Sequence, residues 1–153
     1  MLSFDSKDFG RINYEPGSVL EFPNGIPGFE DRKRFVALTF PHTQPLVFLQ
    51  SLEDARLCFI TLPVLSIDRQ YRLMVGEEDL ESIGLPAKRQ PRIGEDVACL
   101  AVVTVQRTCG PTANLLAPLV VNIRNLKGIQ AIPPEPSYSH RHSLLPVAAA
   151  ACS

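Results

Sequence analysis

Four cysteines and three histidines are the side chains of this 153-residue chain best suited to nucleophilic, redox or metal chemistry. Their spacing speaks against all three. Cys58, Cys99, Cys109 and Cys152 have neither the paired spacing of a zinc site nor that of a redox motif. Cys58 and Cys99 sit inside apolar runs, where a free thiol behaves as a small hydrophobe. Cys109 lies in a turn and is the one candidate nucleophile, with only Arg107 nearby to lower its pKa. His140 and His142 alternate like strand neighbours but have no third ligand in sight, and His42 lies in a proline-bounded loop. No histidine is paired with an orienting carboxylate as a general base would be. Glu53-Asp54 reads as a solvent-facing acid pair in a turn. A Gly-rich phosphate loop and a nucleophile elbow are also missing from the sequence. The expectation is no enzyme, no cofactor and no metal.

Charge offers two further clusters. Glu77, Glu78, Asp79 and Glu81 put four acids into five residues at the start of a helical pattern. Leu80 and Ile83 are three apart on one face, and Gly84 can end the helix. Acids in a first helical turn favour the helix dipole by about 0.3–1 kcal/mol each, so they need no partner to be explained. Lys88, Arg89 and Arg92 form a basic loop after the helix. It lacks the interleaved aromatics of a nucleic-acid surface and reads as solvated.

The elements that position these groups are mainly strands. Val97–Val105 is apolar at even and odd positions alike, so neither face of an extended strand is built for water. Leu115–Ile123 is similar, and the turn Cys109-Gly110-Pro111-Thr112 separates the two, which predicts a hairpin in the core. Pro118 has no N–H to donate and should mark a bulge or an edge. Asn114 and Asn122 need backbone partners if buried, or cost about 1–3 kcal/mol each. Strands are also expected in residues 2–22 around the turn Glu15-Pro16-Gly17-Ser18, and at Phe35–Thr39, Leu46–Gln50, Leu57–Thr61, Tyr71–Val75 and Gly128–Ile132. Asn24-Gly25 and Pro27-Gly28 predict two stiff turns back to back, the first with positive φ and the second of type II. The tally predicts an all-β fold: a small antiparallel β-barrel-like domain over residues 1–133 with one short helix. After Pro133-Pro134-Glu135-Pro136, residues 134–153 read as a flexible C-terminal tail.

Composition agrees with one globular domain, since 45% of residues are apolar and 20% charged. A net charge of −1 recruits neither nucleic acid nor anionic lipid through a global field. No apolar run approaches the roughly 20 residues that span a bilayer, and the N-terminus carries no secretory pattern, so a cytoplasmic protein is expected. From these residues alone two other readings stay open: a β-barrel hydrolase using Cys109, and a barrel that binds single-stranded nucleic acid. The second needs basic and aromatic residues interleaved on strands, whereas the bases here cluster in loops.

Three segments resemble a known family when taken together and in order. They are Phe22-Pro23-Asn24-Gly25-Ile26-Pro27-Gly28-Phe29, then Leu49-Gln50-Ser51, then Thr112-Ala113-Asn114-Leu115-Leu116-Ala117-Pro118 with Val120-Val121-Asn122. In this set the chain is similar to the bacterial flagellar assembly factor FliW, from about Asp8 to Leu144. The family motif residues are Phe22, Pro23, Gly25, Ile26, Pro27, Gly28, Phe29, Gln50, Thr112, Asn114, Leu115, Pro118 and Asn122. The resemblance implies a non-enzymatic, cytoplasmic, barrel-like protein that binds flagellin near that protein's C-terminal helical region. It also implies binding of CsrA, an RNA-binding repressor of flagellin translation, and antagonism by partner exchange. It implies no direct contact with nucleic acid or membrane. A basic regulator would be met by negative charge, which makes Glu77, Glu78, Asp79 and Glu81 the candidate partner-binding residues.

Overall fold

Frequent turn residues cut the chain into short strands in a computed structural model that describes residues 1–108, 110–133 and 137–145. In order they are β1 (Leu2–Ser6), β2 (Gly10–Tyr14), β3 (Val19–Glu21), β4 (Arg34–Leu38), β5 (Val47–Ser51) and β6 (Cys58–Pro63). Helices α1 (Val64–Ile67) and α2 (Glu77–Ser82) follow. Then come β7 (Val97–Gln106), β8 (Gly110–Ala113), β9 (Leu119–Asn122), β10 (Gly128–Gln130) and β11 (His142–Ser143).

The main sheet runs β10-β9-β7-β6-β5-β4-β3 with antiparallel neighbours, while β1 and β2 form a separate hairpin. The sheet rolls until its two ends meet. Glu21 and Lys127 make an isolated parallel bridge, and the Glu21 N–H donates to the Leu126 carbonyl at 3.0 Å. The result is barrel-like: a seam, rather than a full ladder, joins β3 to β10. The all-β expectation holds, with two short helices among the described residues where one was expected. The single turn of α1 follows Pro63 and carries no periodic pattern long enough to announce it.

The doubly apolar β7 is explained by two cores. Leu100 points into the barrel, among Leu20, Phe22, Phe35, Leu49 and Leu119. Val97, Cys99 and Ala101 point outward, into a layer built by Val64, Tyr71, Leu80, Ile83 and Leu115. Both faces of Val97–Ala101 are therefore covered, one by closure of the sheet and one by the segment between β6 and β7, whereas Thr104 and Val105, expected in the core, are exposed. Pro118 falls between β8 and β9, outside either ladder, and its carbonyl accepts from the Ala131 N–H at 2.9 Å. The expected hairpin is accordingly broken in two: β8 pairs with the far half of β7 and β9 with the near half.

Two expectations need correction. Tyr71–Val75 is not a ladder strand. Its burial alternates as predicted, with Tyr71, Leu73 and Val75 inside, but side chains take the place of a neighbouring strand. Gln90 grips the Val75 backbone through both its N–H (2.8 Å) and its carbonyl (2.9 Å), and the Arg72 N–H donates to the Tyr138 hydroxyl at 2.9 Å. The expectation of a loose tail from residue 134 also fails over residues 137–145. Tyr138 stacks on Tyr71 with ring centroids 4.4 Å apart, Leu115 N–H donates to Ser139 C=O, and β11 pairs with β8. Tail apolar side chains complete the outer layer, which outweighs the missing local pattern.

Candidate functional site

The first motif is a corner with a buried root and an exposed tip. Phe22 is fully buried, edge-on to Phe35, and its ring leaves no room for a side chain at Gly128. Gly25 takes φ +69°, and a Cβ there would collide with the Glu30 backbone, so only glycine fits. Gly28 takes φ +92° and Phe29 N–H donates to Ile26 C=O, the type II turn that Pro27-Gly28 predicts. Glu30 Oε1 accepts the Gly28 N–H at 3.0 Å, which holds its carboxyl below the usual range. Phe29 stays 39% exposed and meets Phe59 edge-on.

Gln50 is a structural amide with 0% exposure. Its Oε1 accepts from Ser6 Oγ at 2.7 Å, and its Nε2 donates to the carbonyls of Ser51 (3.0 Å) and Leu57 (3.1 Å). It thus ties the β1–β2 hairpin to the β5–β6 turn. Asn122 plays the same part at the other side of the molecule: Nδ2 donates to Ile83 C=O at 2.7 Å and Oδ1 accepts from Arg124 N–H. Leu115 is buried, and its carbonyl accepts the Tyr71 hydroxyl at 2.6 Å. Phe22, Gly25, Gln50, Leu115, Pro118 and Asn122 are therefore framework.

Four of the other motif residues, Ile26, Pro27, Thr112 and Asn114, meet at an open cleft of about 330 Å³. Ile26 and Pro27 line one wall, Thr112 and Asn114 another, with Phe59, Thr104, Gln106, Gln130, His140 and Arg141 completing it. Motifs some 85 positions apart in the chain are thus brought to one surface. Asn114 Oδ1 accepts the Ala117 N–H at 3.0 Å, so this amide holds a turn while bordering the cleft. Residues 140 and 141 come from the docked tail, and sequence reasoning did not find them, because nothing local signals that the tail folds back.

The acidic cluster lies elsewhere. Helix α2 ends as Gly84 predicts, with Gly84 N–H bonded to Glu81 C=O and Leu85 N–H to Leu80 C=O, and Gly84 at φ +79°. Leu80 and Ile83 anchor it, while Glu77, Glu78 and Glu81 are exposed. Asp79 is raised by burial and then by Glu78. Lys88 pairs with Glu77 (3.1 Å), Arg89 with Asp96 (3.8 Å) and Arg92 with Glu95 (3.5 Å), so the basic loop is neutralised locally. Because α2 is tied to Asn122, which pairs with Val97, the acids and the cleft lie toward opposite ends of β7, roughly 20–25 Å apart.

Burial pushes the Cys58 thiol up to about 11, with Asp8 adding to it, and pushes Cys99 up to about 12. Neither is a nucleophile near neutral pH. Cys109 lies outside the described residues. Among the described residues no group of three His, Cys, Asp or Glu could hold a metal ion, and no helix is long and apolar enough to cross a membrane.

Comparison with known proteins adds to this geometry. The family model described as "FliW protein" matches residues 3–144. The flagellar assembly factor FliW of Desulfitobacterium hafniense (strain DSM 10664 / DCB-2) is 34% identical, over 97% of this chain and 95% of its own. That of Bacillus pumilus (strain SAFR-032) is 33% identical, over 91% and 93%. A crystal structure of the flagellar assembly factor FliW superposes with a TM-score of 0.81 at 31% identity, covering 95% of this chain and 99% of that one.

Proposed function

The chain belongs to the FliW family, and on that premise we propose that this flagellar assembly factor works without catalysis, by holding two partners in turn. The partners are flagellin, through its C-terminal region, and the translational regulator CsrA. The protein acts in the cytoplasm. While flagellin is abundant it occupies the protein; when export drains flagellin, the freed protein antagonises CsrA and translation resumes. Mass action is enough for such a switch if one complex weakens the other.

The observation that carries this reading is the convergence of two distant family motifs on one open cleft, away from a second, acidic surface. We assign flagellin to the cleft and CsrA to α2. Asp79 is raised by burial first and by Glu78 second, while Glu77, Glu78 and Glu81 stand exposed on the helix, where a basic partner can reach them. Co-purification from cells blocked in flagellar export tests the first partner: flagellin should be retained, and its absence defeats the reading. For the second, Glu78→Lys with Glu81→Lys should slow CsrA association at least about tenfold at low salt and leave flagellin binding intact. Unchanged CsrA association in the folded variant removes α2 from that interface.

A further inference from the structure

Strands β6 and β7 part company before either ends. Their pairing stops at Thr61↔Val102, although β6 begins at Cys58 and β7 runs on to Gln106. The direction of the backbone groups follows from neighbouring bonds. Asn114 N–H donates to Val102 C=O, so residue 102, and by alternation 104 and 106, faces β8. Residues 103 and 105 then face the opening. Consistent with this, Val105 stands opposite Pro111, which has no N–H to exchange. On the other side Ser51 N–H donates to Leu57 C=O, so Cys58 and Ile60 turn toward β7. The register carried onward would set Cys58 against Val105, but the strands diverge instead.

Natural sheets blunt such an edge with charge, proline or a covering loop. Val103-Thr104-Val105-Gln106 has neither charge nor proline, and Val105 is 69% exposed. Thr104 and Gln106 on this stretch line the cleft. Arg141 lines it beside His140; among the described residues no acid lines it and Arg141 meets none.

We propose that the β7 edge beyond Val102 is a docking edge for an extended, carboxylate-bearing segment of the partner, which adds as a strand beside Val103–Gln106 and sets its carboxylate against Arg141. Main-chain bonds through Val105 supply the attachment, and Arg141 supplies direction. This deepens the assignment of flagellin to the cleft and rests on it.

The test uses the full chain with monomeric flagellin of the same organism, in binding titrations and amide hydrogen exchange. Val105→Pro removes the outward N–H without removing a bond to β8, and should weaken binding at least about tenfold. Val105→Thr keeps the N–H and should stay within about twofold. Arg141→Gln should weaken binding and flatten its salt dependence. The Val105 amide should exchange more slowly in the complex. Binding by a folded Val105→Pro variant at unaltered strength overturns the inference, as does a Val105 amide left unprotected, the result expected if a helix sits in the cleft. If Val105→Pro does not fold, exchange at Val105 in the unaltered protein decides. Failure of the unaltered protein to bind flagellin overturns the functional reading and this inference together. Binding without protection at Val105 overturns the inference alone.

Discussion

At Val97–Leu100, strand β7 pairs with β9 and has apolar cover on both faces; a few residues on, at Thr104 and Val105, it is open to solvent. Residue types hardly change between the two ends. What changes is the company: β9, α2 and the barrel interior at one end, a lone narrow ribbon with β8 and β11 at the other. The same division runs through the family motifs. Buried amides such as Gln50 and Asn122 have both ends of the side chain engaged inside the protein, whereas Ile26, Pro27, Thr112 and Asn114 border a cleft. Similarity of sequence between relatives therefore mixes two demands, one for closing the fold and one for presenting a surface.

The sharpest way to break that division is within the first motif. Phe22→Ala should cost about 3–5 kcal/mol in denaturant unfolding, as a buried aromatic does. Phe29→Ala, at the exposed tip, should cost below about 1 kcal/mol and act on partner binding instead. Equal costs would show the tip to be framework as well. Ending the chain at Pro133 comes next. It removes the Tyr138 ring from Tyr71 and the Leu144 side chain from the outer layer. The expected loss is about 2–4 kcal/mol, a melting temperature lower by several degrees, together with a cleft lacking His140 and Arg141. An unchanged melting temperature would return these residues to the status of a tail.

Two amides give a smaller contrast. Asn122→Leu strands the Arg124 N–H and takes one of two donors from Ile83 C=O, and should cost about 1–3 kcal/mol. Asn114→Leu loses a single bond to Ala117 N–H at a half-exposed site, and about 1 kcal/mol is expected. If Asn114 proves the costlier of the two, the cleft wall is framework. The test that changes no residue is alkaline titration of the closed end. Cys99 has its pKa raised from 9.0 to about 12 by burial, so the unfolded chain loses this proton first. The contribution is full below pH 9 and drains as pH rises toward 12, at about 1.4 kcal/mol per pH unit. Cys99→Ala should flatten that stretch of the stability profile.

Much of the framework was legible because it is written locally. Alternation marked the strands, Gly25 and Gly28 marked their turns, and Gly84 marked the end of α2. The doubly apolar β7 required closure of the sheet or a second layer, without showing which, or which residues supply it. What local pattern could not carry was partnership. Tyr71–Val75 has the alternation of a strand, but Gln90 and Tyr138 complete its bonds, and no periodicity encodes that. Tyr138 and Leu144 are isolated apolar residues whose docking depends on a surface laid down by other segments. The cleft is a consequence of two strands diverging, and divergence is a matter of register between residues some 40 positions apart.

The seam between Glu21 and Lys127 has a kinetic consequence. Most ladders of the sheet link neighbours along the chain: β3 with β4, β4 with β5, β5 with β6, β9 with β10. These can zip on a timescale of microseconds once their turns form. The seam joins positions 21 and 127, a separation of 106 residues, and it must wait until the chain between them is ordered. Rolling shut is therefore a late event in folding, and a chain that stalls before it presents β3 and β10 as two raw edges, each able to recruit a neighbouring molecule.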